Sequence, residues 1–424
     1  LLTSVMDDMR PENKYLHLMD EQEAITKAQA LLNRQGEVAV SPLAVYRHAS
    51  KADSVQQGRP NVVLIMMESM SSKLMKHFGQ SETLTPFLDS LYTRSISFRN
   101  FYSAGIHTNH GLYATLYSFP AMMKRNLMKG SVIPRYSGLP TVLKENGYYN
   151  LFFMTHEGQY DNMNAFFRTN GYDEVFSQEN YPADKVVNSF GVQDDFLYDY
   201  AIPVLNQRAA TGEPFFATLL SISNHPPYVI PPFFHPKTSE PETQIVEYAD
   251  WALRKFFEEA RKQSWFDNTI FVLEGDHGKL VGDAECELPE SYNHIPLMIY
   301  SSRIHPEEKN TFGGQVDIQP TILGLLNIDY LQNNFGVDLL KEERPCMFYT
   351  ADNMIVGRND TLLYLFNYET QQEFTYHIDN GKLKAVPMDD RFLPLKEYSF
   401  SMLQSAEFLV KHGKTVNSVP FTQQ

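Results

Sequence analysis

From Arg59 onward, short apolar runs alternate with polar, punctuated segments, and their periodicities predict two kinds of element. Val62–Met67, Ser97–Tyr102, Leu151–Met154, Phe215–Ile222, Ile270–Leu273 and Leu297–Tyr300 are apolar stretches of strand length. Near-continuous runs rich in β-branched and aromatic residues are the pattern of strands buried on both faces. Between them lie helical segments. Thr85-Pro86 opens one, Leu139-Pro140 opens another that Gly147 closes, and Asp317-Ile318-Gln319-Pro320 begins a third. In Ile245–Arg261 the small or apolar positions 245, 249, 252, 253, 256 and 260 form a stripe that turns one helix face toward a core. This alternation predicts a doubly wound α/β sheet with helices on both faces.

The two ends read differently. Glu21–Leu32 has helical amphipathicity, and the polar stretch His48–Gly58 after it reads as a linker, so residues 1–58 are expected to form a helical arm. Residues 59–340 then make the main α/β domain, and 341–424 a small C-terminal α+β subdomain. There, Thr361–Asn367 and Gln372–Asp379 read as antiparallel strands, with a hairpin turn at Asn380-Gly381 and a closing helix near Phe400–His412.

Composition narrows the function. A chain of 424 residues with 43% hydrophobic and 13% aromatic residues supports a large core and excludes general disorder. A net charge of −15 excludes nucleic acid as the main partner, which needs clustered Lys and Arg. It leaves open small phosphate-bearing substrates, whose charge a metal ion neutralises locally. Cys286 and Cys346 lie far apart in no metal-finger spacing; the sequence leaves open whether they pair, and free buried thiols are the expectation. No apolar stretch approaches the roughly 20 residues that span a bilayer. The start at Leu1-Leu2 without Met is the expectation for a fragment or processed form.

Chemistry concentrates where two predicted strands end. Asn61-Val-Val-Leu-Ile-Met-Met runs into Glu68-Ser69, and Thr269-Ile-Phe-Val-Leu-Glu-Gly runs into Asp276-His277-Gly278. Ligands of open α/β sheets bind beyond the carboxyl ends of the strands. Glu68, Asp276 and His277 at that edge would offer one nitrogen and several oxygens to a divalent metal. Each string alone also fits an ordinary polar turn; together they favour the metal. Thr108 follows the turn around Gly105 and precedes a helix expected from about His110. A helix N-terminus favours bound phosphate, and a divalent cation makes a hydroxyl a usable nucleophile. On this segment alone, a capping threonine is the simpler reading. His225 follows the run from Phe215, and His294 precedes the strand at Leu297.

A strand ending in Glu68-Ser69, a threonine in a glycine-containing turn, and a late Gly275-Asp276-His277-Gly278, in this order, resemble the alkaline phosphatase superfamily. Within it the chain is most similar to the lipoteichoic acid synthase and phosphoglycerol transferase family, over roughly Asn61 to Asn327. The resemblance implies an alkaline-phosphatase-like, sulfatase-like catalytic domain on the extracytoplasmic face of the bacterial cytoplasmic membrane. Membrane segments would then lie outside this chain. It implies that Glu68, Thr108, Asp276 and His277 hold one divalent metal, Mn²⁺ in the first place, with Zn²⁺ or Mg²⁺ as alternatives. Thr108 would be the covalently modified residue, and His225, Asp161, Asn162 and His294 would bind substrate. The partners implied are a phospholipid donor and a glycan or lipid-glycan acceptor. Asp161-Asn162-Met163 stands where Gram-positive synthases carry a Trp-x-Arg headgroup clamp, and looks like the Asp-Asn-Met variant of Gram-negative relatives. That departure leaves phosphoglycerol and phosphoethanolamine both open, and Asp161 also fits a plain helix cap. Sulfatases share the fold, but neither Cys286 nor Cys346 sits in their Cys/Ser-x-Pro-x-Arg motif, so a sulfatase label would describe the fold rather than the reaction. The Asp and His set of two-zinc phosphatases is also missing, and one metal is expected. A phosphodiesterase or phosphatase and a non-catalytic binding domain are the competing expectations.

Overall fold

The computed structural model describes residues 15–32, 43, 45–47, 59–130, 132–379 and 381–416. The expected linker at His48–Gly58, and Asn380 of the expected hairpin turn, lie outside the described residues. After the short strand β1 (Val45–Arg47), eight strands build the main sheet. They are β2 (Asn61–Met67), β3 (Ile96–Tyr102), β4 (Tyr149–Met154), β5 (Glu174–Phe176), β6 (Phe215–Leu220), β7 (Thr269–Gly275), β8 (Leu297–Tyr300) and β9 (Glu307–Gly314), in the spatial order β5-β4-β6-β2-β7-β8-β3-β9. β2 lies between β6 and β7 and is parallel to both. β8 runs antiparallel to β7 and β3, so the sheet is mixed. A buried apolar run such as Leu297–Tyr300 carries no sign of its direction, which is why the sequence predicts the strand but not its orientation.

Side-chain alternation along β2 shows why the run is apolar throughout. Val62, Leu64 and Met66 enter one core, while Val63, Ile65 and Met67 enter the other. The helices are α1 (Glu21–Leu32), α2 (Pro86–Tyr92), α3 (Thr108–Tyr117), α4 (Leu139–Glu145), α5 (Met163–Thr169), α6 (Asp194–Ala209), α7 (Pro241–Ala260), α8 (Ile318–Leu325) and α9 (Leu393–Lys411); α2 to α8 flank the main sheet, whereas α1 and α9 belong with the C-terminal part. α7 buries five of the six stripe positions, Ile245, Ala252, Leu253, Phe256 and Ala260, and leaves Ala249 half-buried. α3 begins at Thr108 rather than His110, and β6 ends at Leu220 rather than Ile222, where the Ser221 amide turns to donate to the Met66 carbonyl (3.0 Å).

The C-terminal sheet is larger than the sequence signals suggest. It contains β11 (Met347–Thr350), β12 (Met354–Arg358), β13 (Leu362–Asn367), β14 (Gln372–Asp379) and β15 (Lys382–Ala385), antiparallel in that order. α9 packs on β11 and β12, and α1 packs on α9. There the Leu16 amide donates to Glu407 (2.9 Å) and the Leu18 amide to Gln404 (2.7 Å). β1 pairs antiparallel with β10 (Tyr330–Gln332). Among the described residues no helix is long and apolar enough to cross a membrane. Cys286 and Cys346 are free.

One buried ion pair ties the main sheet to the C-terminal part. Arg344 donates to both oxygens of Asp317 (2.9 and 3.1 Å from Nε), to the Tyr398 hydroxyl (2.6 Å) and to the Phe335 carbonyl (2.6 Å). Asp317 in turn accepts from the Gly314 and Val337 amides. Removing one partner of such a pair strands the other charge in a dry interior. Arg344→Met should therefore lower unfolding free energy by about 3–5 kcal/mol, measured by chemical denaturation; a change under about 1 kcal/mol would show the pair to be energetically neutral.

Candidate metal centre and adjoining pocket

The register of β2 on β7 places Met67 beside Gly275, so the chains leave adjacent strands as Glu68 and Asp276 side by side. The Asp276 amide donates to the Met67 carbonyl (3.0 Å). Ser69, held at φ 51°, donates its amide to Asp276 Oδ1 (2.8 Å) and its hydroxyl to Glu68 Oε1 (2.7 Å). Asp276 Oδ1 also accepts the His277 amide (2.7 Å). These bonds fix one oxygen of each carboxylate. The others, Glu68 Oε2 and Asp276 Oδ2, are buried and have no hydrogen-bond partner among the described residues.

His277 completes the group. Its Nδ1 engages the Gly278 carbonyl (2.7 Å), which directs Nε2 to within 3.7 Å of Glu68 Oε1 and 3.6 Å of Asp276 Oδ2. A proton on Nδ1 leaves the Nε2 lone pair for a cation. One ligand atom from each of the three residues lies within 4.8 Å of the others. Burial first, and the Asp276 charge second, push the Glu68 carboxyl well above the usual carboxylate range. Two buried carboxylates with orphaned oxygens are costly unless a cation is shared between them. The donor set, one imidazole and two carboxylates, fits a divalent ion.

Thr108 stands in the first turn of α3; His107 is the N-cap residue, so the structure does not use Thr108 as the cap. The Thr108 hydroxyl is half-buried and makes no hydrogen bond to the described residues. Its helix is pressed against Asp276. A Cβ at Gly111 would lie 2.3 Å from the Asp276 carbonyl oxygen, so only glycine allows this approach. Residues three apart share a helix face, which puts Thr108 on the side of α3 that meets Asp276. Farther along, Thr115 donates to buried Glu274 of β7 (2.5 Å). Gln315 bridges the same parts, accepting from the Ala104 amide (2.9 Å) and donating to the Asp276 carbonyl (2.7 Å).

Asp161 and Asn162 sit beside this turn. Asn109, the neighbour of Thr108, donates to Asp161 Oδ2 (3.4 Å), and Lys129 pairs with Asp161 Oδ1 (2.8 Å). Asn162, not Asp161, occupies the N-cap position of α5, and its side chain donates to the Met128 carbonyl (3.3 Å). Both residues hold left-handed backbone, φ 50° and 62°. His225 is half-buried; its Nδ1 engages the Pro226 carbonyl (2.6 Å), and its ring packs on Phe190 beside a small pocket also lined by Val187 and Val229. His294 is not brought into this group. Its Nε2 meets the Arg99 carbonyl (2.8 Å), and its ring stacks on Tyr102.

Three participants were not singled out from the sequence. His156 is buried just past β4, with its ring against Tyr160; burial lowers its pKa, and Asp161 and His225 both act on it electrostatically. Its position beyond a strand's carboxyl end is the signal that finds it. Lys279 follows the metal string, and Asp352 reaches His107 from the C-terminal sheet (2.7 Å).

Comparison with known proteins follows this geometry. Residues 60–328 match the family model described as Sulfatase. The chain belongs to the sulfatase family. Among its relatives, lipoteichoic acid synthase 1 of Bacillus subtilis (strain 168) is 25% identical over 354 residues, covering 77% of this chain and 54% of that protein. Lipoteichoic acid synthase 2 of the same organism is 24% identical, covering 67% of this chain and 47% of that protein. The sulfatase-family chain thus spans about half the length of these curated relatives. A crystal structure of an alkaline phosphatase superfamily protein from Vibrio parahaemolyticus aligns at TM-score 0.81 and 25% identity, over 95% of this chain and 98% of that one. The lipoteichoic acid synthase LtaP of Listeria monocytogenes aligns at TM-score 0.74 and 20% identity, over 91% and 98%. The fold is therefore alkaline-phosphatase-like, with a mixed main sheet and a separate C-terminal antiparallel sheet.

The orphaned carboxylate oxygens predict a measurable response to metal. At roughly one hundred times its Kd, a bound ion should raise unfolding free energy by about 2.7 kcal/mol, and a chelator should reverse the gain. Glu68→Gln should lose this stabilisation. A wild-type protein that holds no ion by elemental analysis and shows no shift with Mn²⁺, Zn²⁺ or Mg²⁺ contradicts the assignment.

Proposed function

We propose that this sulfatase-family chain is the catalytic part of an extracytoplasmic, metal-dependent transferase. It moves a phosphoglycerol-type group from a phospholipid to a glycan or lipid-glycan hydroxyl through a covalent intermediate on Thr108. The observation that carries this reading is the unpartnered Thr108 hydroxyl in the first turn of a helix packed directly on Asp276, whose Oδ2 is orphaned. The lipoteichoic acid synthases among its relatives support the substrate class.

Glu68, Asp276, His277 and Thr108 would hold the ion, for which Mn²⁺ suits the oxygen-rich donors. When bound, such an ion lowers the pKa of a neighbouring hydroxyl and offsets phosphate charge. The Thr108 oxygen attacks phosphorus, the bond from phosphorus to the lipid alcohol breaks, and the alcohol leaves carrying a proton. The α3 N-terminus faces the phosphate and favours its negative charge. His225, beside His156, holds the transferred group or its proton. In the second half an acceptor hydroxyl attacks the same phosphorus and frees Thr108.

Headgroup choice rests on Asp161. Because Lys129 already pairs with its carboxylate, an ammonium headgroup would meet a like charge there, whereas a hydroxyl can hydrogen-bond to both partners. That favours phosphoglycerol over phosphoethanolamine. His294 has no place in this pocket.

Thr108→Ala should keep the fold and lower turnover roughly 10³-fold or more, since it deletes the nucleophile. Mass spectrometry after incubation with a phospholipid donor should find a phosphoryl-headgroup adduct on the peptide containing Thr108. An active Thr108→Ala variant defeats the mechanism. Rapid donor turnover without any acceptor would assign the chain to the hydrolases. His225→Ala should slow transfer while the ion stays bound, and loss of the ion in that variant would contradict its role.

A further inference from the structure

Two residues past His277, Lys279 lies beside the turn that follows β6. Lys279 Nζ donates to Asn224 Oδ1 (2.7 Å) and lies 5.3 Å from the centre of the Tyr228 ring. Asn224 is 3% exposed, and its amide nitrogen donates to the Ser69 carbonyl (3.1 Å). The orientation of Asn224 is thus fixed from both ends, and it holds the ammonium next to the Glu68-Ser69 turn. Among the described residues no carboxylate forms an ion pair with Lys279, whereas Lys73 and Lys129 each have one. A half-buried ammonium held by a neutral amide retains donor protons and charge for something the protein does not supply.

We infer that Lys279, set by Asn224, is an anion-binding corner of the cleft that takes a non-bridging oxygen of the substrate phosphate. This deepens the transferase reading and rests on it only for the identity of the substrate; the ligand chemistry, a phosphate oxygen, is shared by a lipid phosphodiester and free phosphate. A bland alternative gives Lys279 the structural task of steadying Asn224. The two differ in what a neutral side chain of similar length does.

The test compares wild type with Lys279→Met, Lys279→Arg and Lys279→Gln. Binding of inorganic phosphate is followed by calorimetry, the metal content by elemental analysis, and kcat and KM with mixed vesicles of phosphatidylcholine and phosphatidylglycerol. Loss of one charge-assisted hydrogen bond should weaken phosphate binding roughly 10- to 100-fold in Lys279→Met. The ion should remain at the wild-type level, and kcat/KM on vesicles should fall by a similar factor. Lys279→Arg should recover part of both. If Lys279→Met fails to fold, Lys279→Gln, which can still bond Asn224, reads the same contrast. Phosphate binding at wild-type strength in the neutral variant overturns the inference, and so does loss of the metal ion in it. If wild type ignores the vesicles yet its phosphate binding still depends on Lys279, the corner stands and the transferase reading falls.

Discussion

Everything at this site depends on two buried carboxylates placed against one another, with no Lys or Arg among the described residues paired to either. Parallel pairing of β2 with β7 brings Glu68 and Asp276 out of neighbouring strands, and both side chains are buried there. Ser69, in a left-handed conformation that a non-glycine residue rarely adopts, satisfies one oxygen of each. The opposite oxygens are left without partners. Such an arrangement is unfavourable for folding alone, and strain and orphaned polar groups of this kind cluster at functional sites. A divalent ion would resolve it, and would account for His277 turning Nε2 inward and for Gly111 letting α3 approach so closely.

The turn carrying Thr108 is held from three sides. The Thr350 amide donates to the Ala104 carbonyl (2.9 Å), and Asn293 reaches the carbonyls of Ser103, Gly105 and Thr350 (3.3, 3.4 and 3.3 Å). Gln315 links Ala104 to Asp276, and Asp352 holds the imidazole of His107 just before Thr108. The C-terminal sheet is therefore part of the scaffold that positions Thr108, because its β11 edge and the turn after it carry Thr350 and Asp352. A site set by several rigid elements is preorganised for a reaction that needs close alignment.

Much of this was legible from local pattern. β2 and β7 announce themselves as apolar runs of the right length, and their polar ends name Glu68, Asp276 and His277 without any structure. The α7 stripe and the proline-opened helices are equally local signals. What stayed hidden is non-local. The direction of β8 is set by its neighbours, and Met347–Thr350 and Met354–Arg358 are too short to stand out as strands. The pairings of His107 with Asp352 and of Lys279 with Asn224 join segments far apart in the chain. No spacing rule reaches across such distances. Asp161 shows the opposite case: the sequence left it between a cap and a ligand, and the structure gives the cap position to Asn162.

The most direct test of the central claim is anomalous diffraction from crystals grown with Mn²⁺. The account predicts one strong anomalous peak at about 2.0–2.3 Å from Glu68, Asp276, His277 Nε2 and the Thr108 hydroxyl oxygen, ordinary coordination distances. A fully ordered site with no peak there, or a peak that Thr108 does not reach, would contradict it.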